Sequence, residues 1–324
     1  MYQTSCTFFA IDSGSVTECR NAGLFESGGG LRVILTGANG LLGRYIVSQR
    51  PKDVELLCLS GGISLSPNGH FDSHILDILD FPLLEESLMT FQPDVVINAA
   101  AEGRVDEVQD NQDKYRKLNV ELPAFLAKYA FDSGSYFIQI SSNAVFGGSG
   151  LPYADSDPLT PINDYGNLKA AAEHAVIEAN NQALIVRPIL MYGWPYPGGR
   201  LNPAVAWVEA LRSGNPVRVV DDVWTEPLAA WDCASAVWKG VELKAVGPIN
   251  VSGGQRMSLF EFAYLTAQVF ELDPEGVVAI SSDSLSGLAP RPVDTSFDLD
   301  RLRNEFELAT SPPQLGLREL KRMN

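Results

Sequence analysis

The stretch Leu31-Arg-Val-Ile-Leu-Thr36, followed by Gly37-Ala-Asn-Gly40-Leu-Leu-Gly43, decides how the chain is read. Its first six residues are a short apolar run, as expected of a strand buried on both faces. The next seven carry the spacing GxxGxxG and open a helical stretch from about Leu41 to Gln49. Each glycine then has a physical task. Gly37 lets the chain turn sharply out of the strand. Gly40 removes a side chain where backbone must approach a pyrophosphate, and Gly43 lets helix and strand pack closely. The turn, with Asn39, Leu41 and Leu42 between the glycines, offers an anion free N–H groups and the positive end of a helix dipole. A dinucleotide cofactor is the expected ligand.

Working outward, the pattern repeats. Strand-length apolar runs lie at Val54–Leu59, Val95–Asn98, Tyr136–Ile140 and Leu184–Val186, with a shorter one at His74–Leu76. Helical stretches near 81–90, 111–131 and 164–180 separate several of them. This alternation predicts an α/β fold, a Rossmann-type doubly wound parallel sheet covered on both faces. After Arg187 the texture loosens, most of all at Pro195-Tyr-Pro-Gly-Gly199. Helices over 202–213, 232–243 and 258–270, with strands at Val217–Val220 and Ile249–Val251, predict a smaller C-terminal α/β lobe. The expected division is a cofactor-binding domain over 31–187 and a mainly substrate-binding lobe over 188–324, some of whose segments return to the sheet. Residues 1–30 show no sustained period and end in Gly28-Gly29-Gly30. They lack the basic start and long apolar core of a signal peptide. They read as a poorly ordered extension, or as the product of a start codon set too far upstream.

Charge narrows the function. Among 324 residues, 24 are Lys or Arg and 40 are Asp or Glu, a formal net charge of −16. So acidic a chain is a poor general binder of nucleic acid or anionic membrane. No apolar run is long enough for a transmembrane helix. Cys6, Cys19, Cys58 and Cys233 form no CxxC pair, which predicts free thiols in a reducing cytoplasm. His70, His74 and His174 are too scattered to suggest a metal site, and no GxSxG elbow is present.

Two clusters carry the chemistry. Tyr165-Gly-Asn-Leu-Lys169 sets a phenol and an ammonium four residues apart, on one helix face. A free tyrosine has a pKa near ~10, and a neighbouring ammonium is expected to lower it. The pair then exchanges a proton with a carbinol oxygen, and Lys169 also reaches toward the nicotinamide ribose. Ile140-Ser-Ser-Asn143 follows a strand whose carboxyl end is where ligands bind in such sheets. Ser142 is the first choice for holding a substrate carbonyl and Ser141 the second. The second strand ends in Cys58-Leu-Ser60-Gly-Gly62, where an NAD site usually places Asp or Glu. With Ser60 there and Arg44 after the glycine turn, NADP(H) is favoured over NAD(H).

These pieces, in this order, resemble the extended short-chain dehydrogenase/reductase superfamily, and more narrowly the dTDP-4-dehydrorhamnose reductase family. The matching segments are Thr36–Gly43, Pro93–Ala101, Val105-Asp106, Ile140–Phe146, Pro152-Tyr153, Pro161, Tyr165–Lys169, Arg187-Pro188, Tyr192-Gly193, Arg291-Pro292 and Ser296–Asp298. They run from about Leu31 to the C-terminus. The resemblance implies further roles. Asp77 and Ile78 would meet the adenine. Ala99, Ala100 and Ala101 would let backbone approach the cofactor, Asn119 would belong to the cofactor site, and Pro188 would cover the nicotinamide end. Val105, Asp106, Asn143 and Ala144 would face the sugar, and Asn202 and Arg291 its diphosphate. The family usually shows Asp-Tyr after the catalytic Ser/Thr, where this chain has Asn143-Ala144. That departure bears on the sugar and leaves the hydride machinery intact.

The expected activity is therefore NAD(P)H-dependent reduction of a nucleotide-bound 4-keto sugar, most directly dTDP-4-dehydro-L-rhamnose. A sugar-nucleotide epimerase on the same scaffold is one alternative. A dinucleotide-binding regulatory protein, like the beta subunit of methionine adenosyltransferase, is another. The oligomeric state is open, a homodimer included.

Overall fold

A computed structural model describes residues 30–60, 72–148 and 152–324. The N-terminal segment with Cys6 and Cys19, together with Gly61, Gly62 and His70, lies outside them. Leu31–Asn324 forms one compact unit.

Its core is a seven-stranded sheet. The strands are β1 (Leu31–Thr36), β2 (Val54–Ser60), β3 (Asp72–Ile75), β4 (Val95–Asn98), β5 (Tyr136–Ile140), β6 (Leu184–Pro188) and a last one, Gly247–Val251. The order across the sheet is Gly247–Val251, β6, β5, β4, β1, β2, β3. Every pair is parallel, so the fold is the doubly wound α/β type. The apolar runs explain it: β4 and β6 are buried at every position, as a sheet covered on both faces demands. Ile249–Val251, expected in the smaller lobe, instead lies in this sheet beside β6.

Helices cover both faces: α1 (Leu41–Ser48), α2 (Phe81–Phe91), α3 (Val105–Val108), α4 (Gln112–Arg116), α5 (Leu122–Ser133) and α6 (Asp164–Ala179). The expected single helix over 111–131 is interrupted. Between α4 and α5, Lys117–Glu121 forms a π-helical turn. One extra residue in a helical repeat leaves the apolar period almost intact, so periodicity does not reveal it. Beyond the sheet, α7 (Pro203–Arg212) packs on the paired strands Val217–Val220 and Val277–Ile280 together with α9 (Leu259–Val269). The helix between them in the chain, α8 (Ala230–Leu243), expected in the smaller lobe, instead packs against α1, β5 and β6 on the main sheet. Strand order reverses between β4 and β1, which places a crevice at their carboxyl ends.

Candidate active site

The glycine turn leaves β1 at this crevice. Gly37 adopts φ +73°, and a Cβ on it would lie 2.4 Å from the Ala99 carbonyl carbon. Conformation and space both require glycine there. A Cβ at Gly43 would lie 2.3 Å from the Gly37 oxygen, so Gly43 seats α1 against the turn. Gly40 precedes α1 and is exposed, with its nearest neighbour, the Gly37 oxygen, 3.2 Å from a Cβ position. No side chain caps α1, so its first N–H groups are available to an anion. Asn39 Oδ1 is buried without a partner, an acceptor that a bound donor would satisfy. This cradle fits a dinucleotide. Ala99–Ala101 form its far wall, with Ala99 N–H on the Thr36 carbonyl at 3.2 Å.

Ser60 ends β2 and is buried. Asp77 is exposed, its Oδ1 accepting from Leu79 N–H at 3.0 Å, and Ile78 is buried behind it. Together with Leu79, Phe81 and Lys117, Asp77 lines a shallow hollow. Arg44 is not a free cation. Its Nη1 donates to the Trp194 carbonyl at 2.9 Å and to the Pro195 carbonyl, and the guanidinium stacks 5.3 Å from the Tyr196 ring.

The candidate catalytic cluster follows β5, which is separated from β1 by β4 alone. Asn163 caps α6 by accepting from Gly166 N–H at 2.7 Å. A Cβ at Gly166 would meet the Ala144 oxygen at 2.3 Å, so glycine lets α6 start directly against the short 3-10 turn Asn143–Val145. Tyr165 is thereby carried close to Ser142, whose hydroxyl draws the phenol's pKa downward. Ser141 faces away, donating to Glu173 Oε1 at 2.5 Å. The two serines thus divide between site and interior.

Lys169 is buried, and its Nζ donates to the Ile140 carbonyl at 2.7 Å. Burial pulls its pKa down to about 8, against the pull of the Glu173 carboxylate. Tyr165 departs from expectation. Burial raises its pKa above the ordinary tyrosine value, outweighing the Ser142 hydrogen bond and the Arg200 charge. The cation bearing on the phenol is Arg200 rather than Lys169, and the phenol keeps its proton. Desolvation outweighs the neighbouring charge.

A buried ammonium with a depressed pKa gives a signed prediction. Below about pH 8 Lys169 is charged in both states, and the folded state bears the full desolvation cost. Between that pH and 10.5 the cost fades as the lysine loses its proton. Lys169→Met is therefore expected to abolish turnover yet raise stability by about 3 kcal/mol at neutral pH. Denaturant unfolding should show the gain shrink as pH rises through that window.

Several expected site residues are engaged elsewhere. Asp106 Oδ2 accepts from Arg291 Nη2 at 2.8 Å and its Oδ1 from Ala289 N–H at 3.0 Å. Arg291 thus carries a carboxylate partner. Val105 opens α3 beside it. Asn119 sits buried in the π turn; its Oδ1 accepts from Glu102 N–H at 2.8 Å and its Nδ2 donates to the Glu102 carbonyl at 3.1 Å. It acts on the loop after β4. Asn202 caps α7 and donates to the Gly193 carbonyl at 2.6 Å. Asn143 Nδ2 donates to Thr295 Oγ1 at 2.6 Å, Ala144 is buried, and Pro188 ends β6 in the interior.

Reading the sequence missed Glu102 and Arg200. Glu102 is held below the usual carboxylate range, chiefly by its hydrogen bond with Arg104, and Arg200 adds to this. Arg200 is exposed, and its Nη1 is 3.9 Å from a Cβ position at Gly103. No local pattern marks it, because it follows the broken Pro195–Gly199 stretch. Glu173 was accessible, since it lies four residues after Lys169 on the same helix face.

Fold and site together define a Rossmann-type protein with a Ser-Tyr-Lys cluster beside a dinucleotide cradle. The sequence profile of the RmlD substrate binding domain matches residues 31–322, and the chain belongs to that family. It is 31% identical over 280 residues to dTDP-4-dehydrorhamnose reductase of Mycolicibacterium smegmatis, covering 83% of this chain and 79% of the relative. It is 29% identical over 297 residues to methionine adenosyltransferase 2 subunit beta of Bos taurus, covering 89% and 86%. Among solved structures, dTDP-4-dehydrorhamnose reductase of Bacillus anthracis in complex with NADP is similar at TM-score 0.82 and 25% identity, covering 91% of this chain and all, 100%, of the other.

Proposed function

We propose that the protein reduces the 4-keto group of dTDP-4-dehydro-L-rhamnose to give dTDP-L-rhamnose. The observation that carries this reading is the Ser142 hydroxyl set against the Tyr165 phenol at the end of β5, next to the glycine cradle. The Gly37–Gly43 turn, Ala99–Ala101 and Lys169 would hold a nicotinamide dinucleotide, which would supply the hydride when bound. Ser142 donates a hydrogen bond to the keto oxygen and stabilises the charge that develops there. Tyr165, protonated at neutral pH as a phenol whose pKa is raised above its ordinary value, delivers its proton to that oxygen. Lys169 holds the ribose side of the site and stands ready to restore the proton.

NADP(H) is our choice of cofactor. Ser60 at the end of β2 brings no carboxylate to repel a 2′-phosphate. The similar Bacillus anthracis reductase is a complex with NADP. Arg44 no longer contributes to this choice, because the 194–195 carbonyls engage it. We place the enzyme in the cytoplasm; among the described residues no helix is long and apolar enough to cross a membrane.

Arg200 takes the substrate-diphosphate role first given to Arg291. Arg200→Ala is expected to raise the KM for the sugar nucleotide about tenfold, with NADPH affinity unchanged. Isothermal titration with NADPH and steady-state kinetics check the two halves.

The likeness to the methionine adenosyltransferase subunit favours one second reading, a subunit that assists another enzyme. Ser142, Tyr165 and Lys169 in working array argue against it. The deciding experiment is NADPH oxidation with a panel of nucleotide 4-keto sugars. Turnover highest with dTDP-4-dehydro-L-rhamnose, and faster with NADPH than NADH, is expected. No turnover with any of them, and co-purification of a partner enzyme, would favour the second reading.

A further inference from the structure

Lys169 is held by more than one residue. The Ile140 carbonyl that accepts from its Nζ at 2.7 Å also accepts from Gln139 Nε2 at 2.7 Å. Two donors occupy both lone pairs of that oxygen. Gln139 Oε1 accepts from Asn98 Nδ2 at 2.8 Å, and Asn98 Oδ1 accepts from the Thr36 hydroxyl at 2.5 Å. Thr36, Asn98 and Gln139 lie on β1, β4 and β5, adjacent strands at the centre of the sheet, and none is more than 1% exposed. Thr36 immediately precedes Gly37. A single line of donors thus runs from the residue before the cofactor turn to the carbonyl that holds Lys169.

Strands covered on both faces are usually apolar. Buried polar groups destabilise unless they are bonded, and in this line each side chain is. Apolar residues of similar shape at all three positions would serve stability about as well. What the hydrogen bonds add is direction. Bonds aligned head to tail polarise one another and fix the orientation of the last acceptor. A lysine side chain has four rotatable bonds, so a fixed acceptor decides where its ammonium rests.

We propose that Asn98 and Gln139, together with Thr36, are positioning residues that hold the Ile140 carbonyl and through it fix the Lys169 ammonium relative to Tyr165. The kinetic part of this inference rests on the reductase reading; the geometric part does not. Single removals leave unpaired groups, so the main test is the triple variant Thr36→Val/Asn98→Leu/Gln139→Leu. It is expected to keep its thermal midpoint. Its kcat should fall about tenfold or more, as misplacement of a catalytic group does, while KM for NADPH and sugar stays within about threefold.

Nitrogen-15 NMR of the lysine ammonium groups gives the second readout, at a pH well below the titration of Lys169. Lys169 is the only buried lysine among the described residues. Its held ammonium should give a sharp resonance in the native protein and a broadened or lost one in the variant. If the triple variant fails to fold, Gln139→Met carries the same readouts. Unchanged kcat together with an unchanged Lys169 resonance would overturn the proposal. Absence of turnover in the native protein defeats the reductase reading alone, and the resonance then decides the positioning.

Discussion

Tyr165→Phe is expected to lower kcat by about a hundredfold to ten-thousandfold, the range that a positioned proton donor supplies. NADPH should bind as before, because the glycine cradle on β1 and α1 does not use the phenol. The fold should also survive. The ring stays, and Ser142 still accepts from Ala144 N–H at 3.2 Å. The pH profile adds a signed expectation. Burial lifts the Tyr165 pKa, so the phenol stays protonated across the neutral range. Reduction should therefore hold its rate through neutral pH and fall only on the alkaline side. In Tyr165→Phe that alkaline fall should vanish along with most of the rate. Stopped-flow cofactor binding and steady-state kinetics separate the two effects. Unchanged turnover would remove Tyr165 from the mechanism.

Arg187→Ala is expected to be the most damaging substitution for stability. Glu173 is fully buried, and Arg187 meets it through Nε at 3.0 Å and Nη2 at 2.7 Å. Arg187 Nη1 also donates to the Asp155 carbonyl at 2.8 Å, and its guanidinium lies 5.3 Å from the Phe146 ring. Removing it leaves the fully buried Glu173 carboxylate with the Ser141 hydroxyl as its remaining side-chain hydrogen-bond donor. Breaking a buried pair in this way costs about 3–5 kcal/mol. Replacing both partners by apolar residues, Arg187→Met with Glu173→Leu, should recover most of that loss. Urea unfolding of the single and double variants measures both numbers. Equal stability of the parent and Arg187→Ala would mean that the pair contributes nothing.

The sheet and the catalytic trio were legible because their signals are local. The β1 run, the GxxGxxG turn and the four-residue step from Tyr165 to Lys169 each fit within about two turns of chain. The partners of the charged residues were not legible, for a matching reason. Arg44 is engaged 150 residues away at Trp194, Asn143 152 away at Thr295, and Asp106 185 away at Arg291. Such pairings depend on how distant loops return over the sheet, which no window of sequence contains. For that reason the sequence shows no partner for Arg44 or Arg291 and does not mark Arg200.

The sign of the Tyr165 shift has the same origin. The sequence places an ammonium one turn away, but it does not show that the ammonium turns to Ile140 and that the phenol is desolvated. The net charge of −16 also gains meaning from the structure. A dinucleotide and a nucleotide sugar are anions, so their attraction must be local. The N–H groups of α1 and the exposed Arg200 are the groups proposed to supply it.

Hydride transfer itself provides the most direct test. NADPH carrying deuterium at its transferable position is incubated with dTDP-4-dehydro-L-rhamnose and the protein, and the product is analysed by mass spectrometry and NMR. The label is expected at the former keto carbon of dTDP-L-rhamnose, one deuterium for each NADPH consumed. Labelled NADPH recovered intact beside unreacted sugar would contradict the assignment of this chain as a reductase.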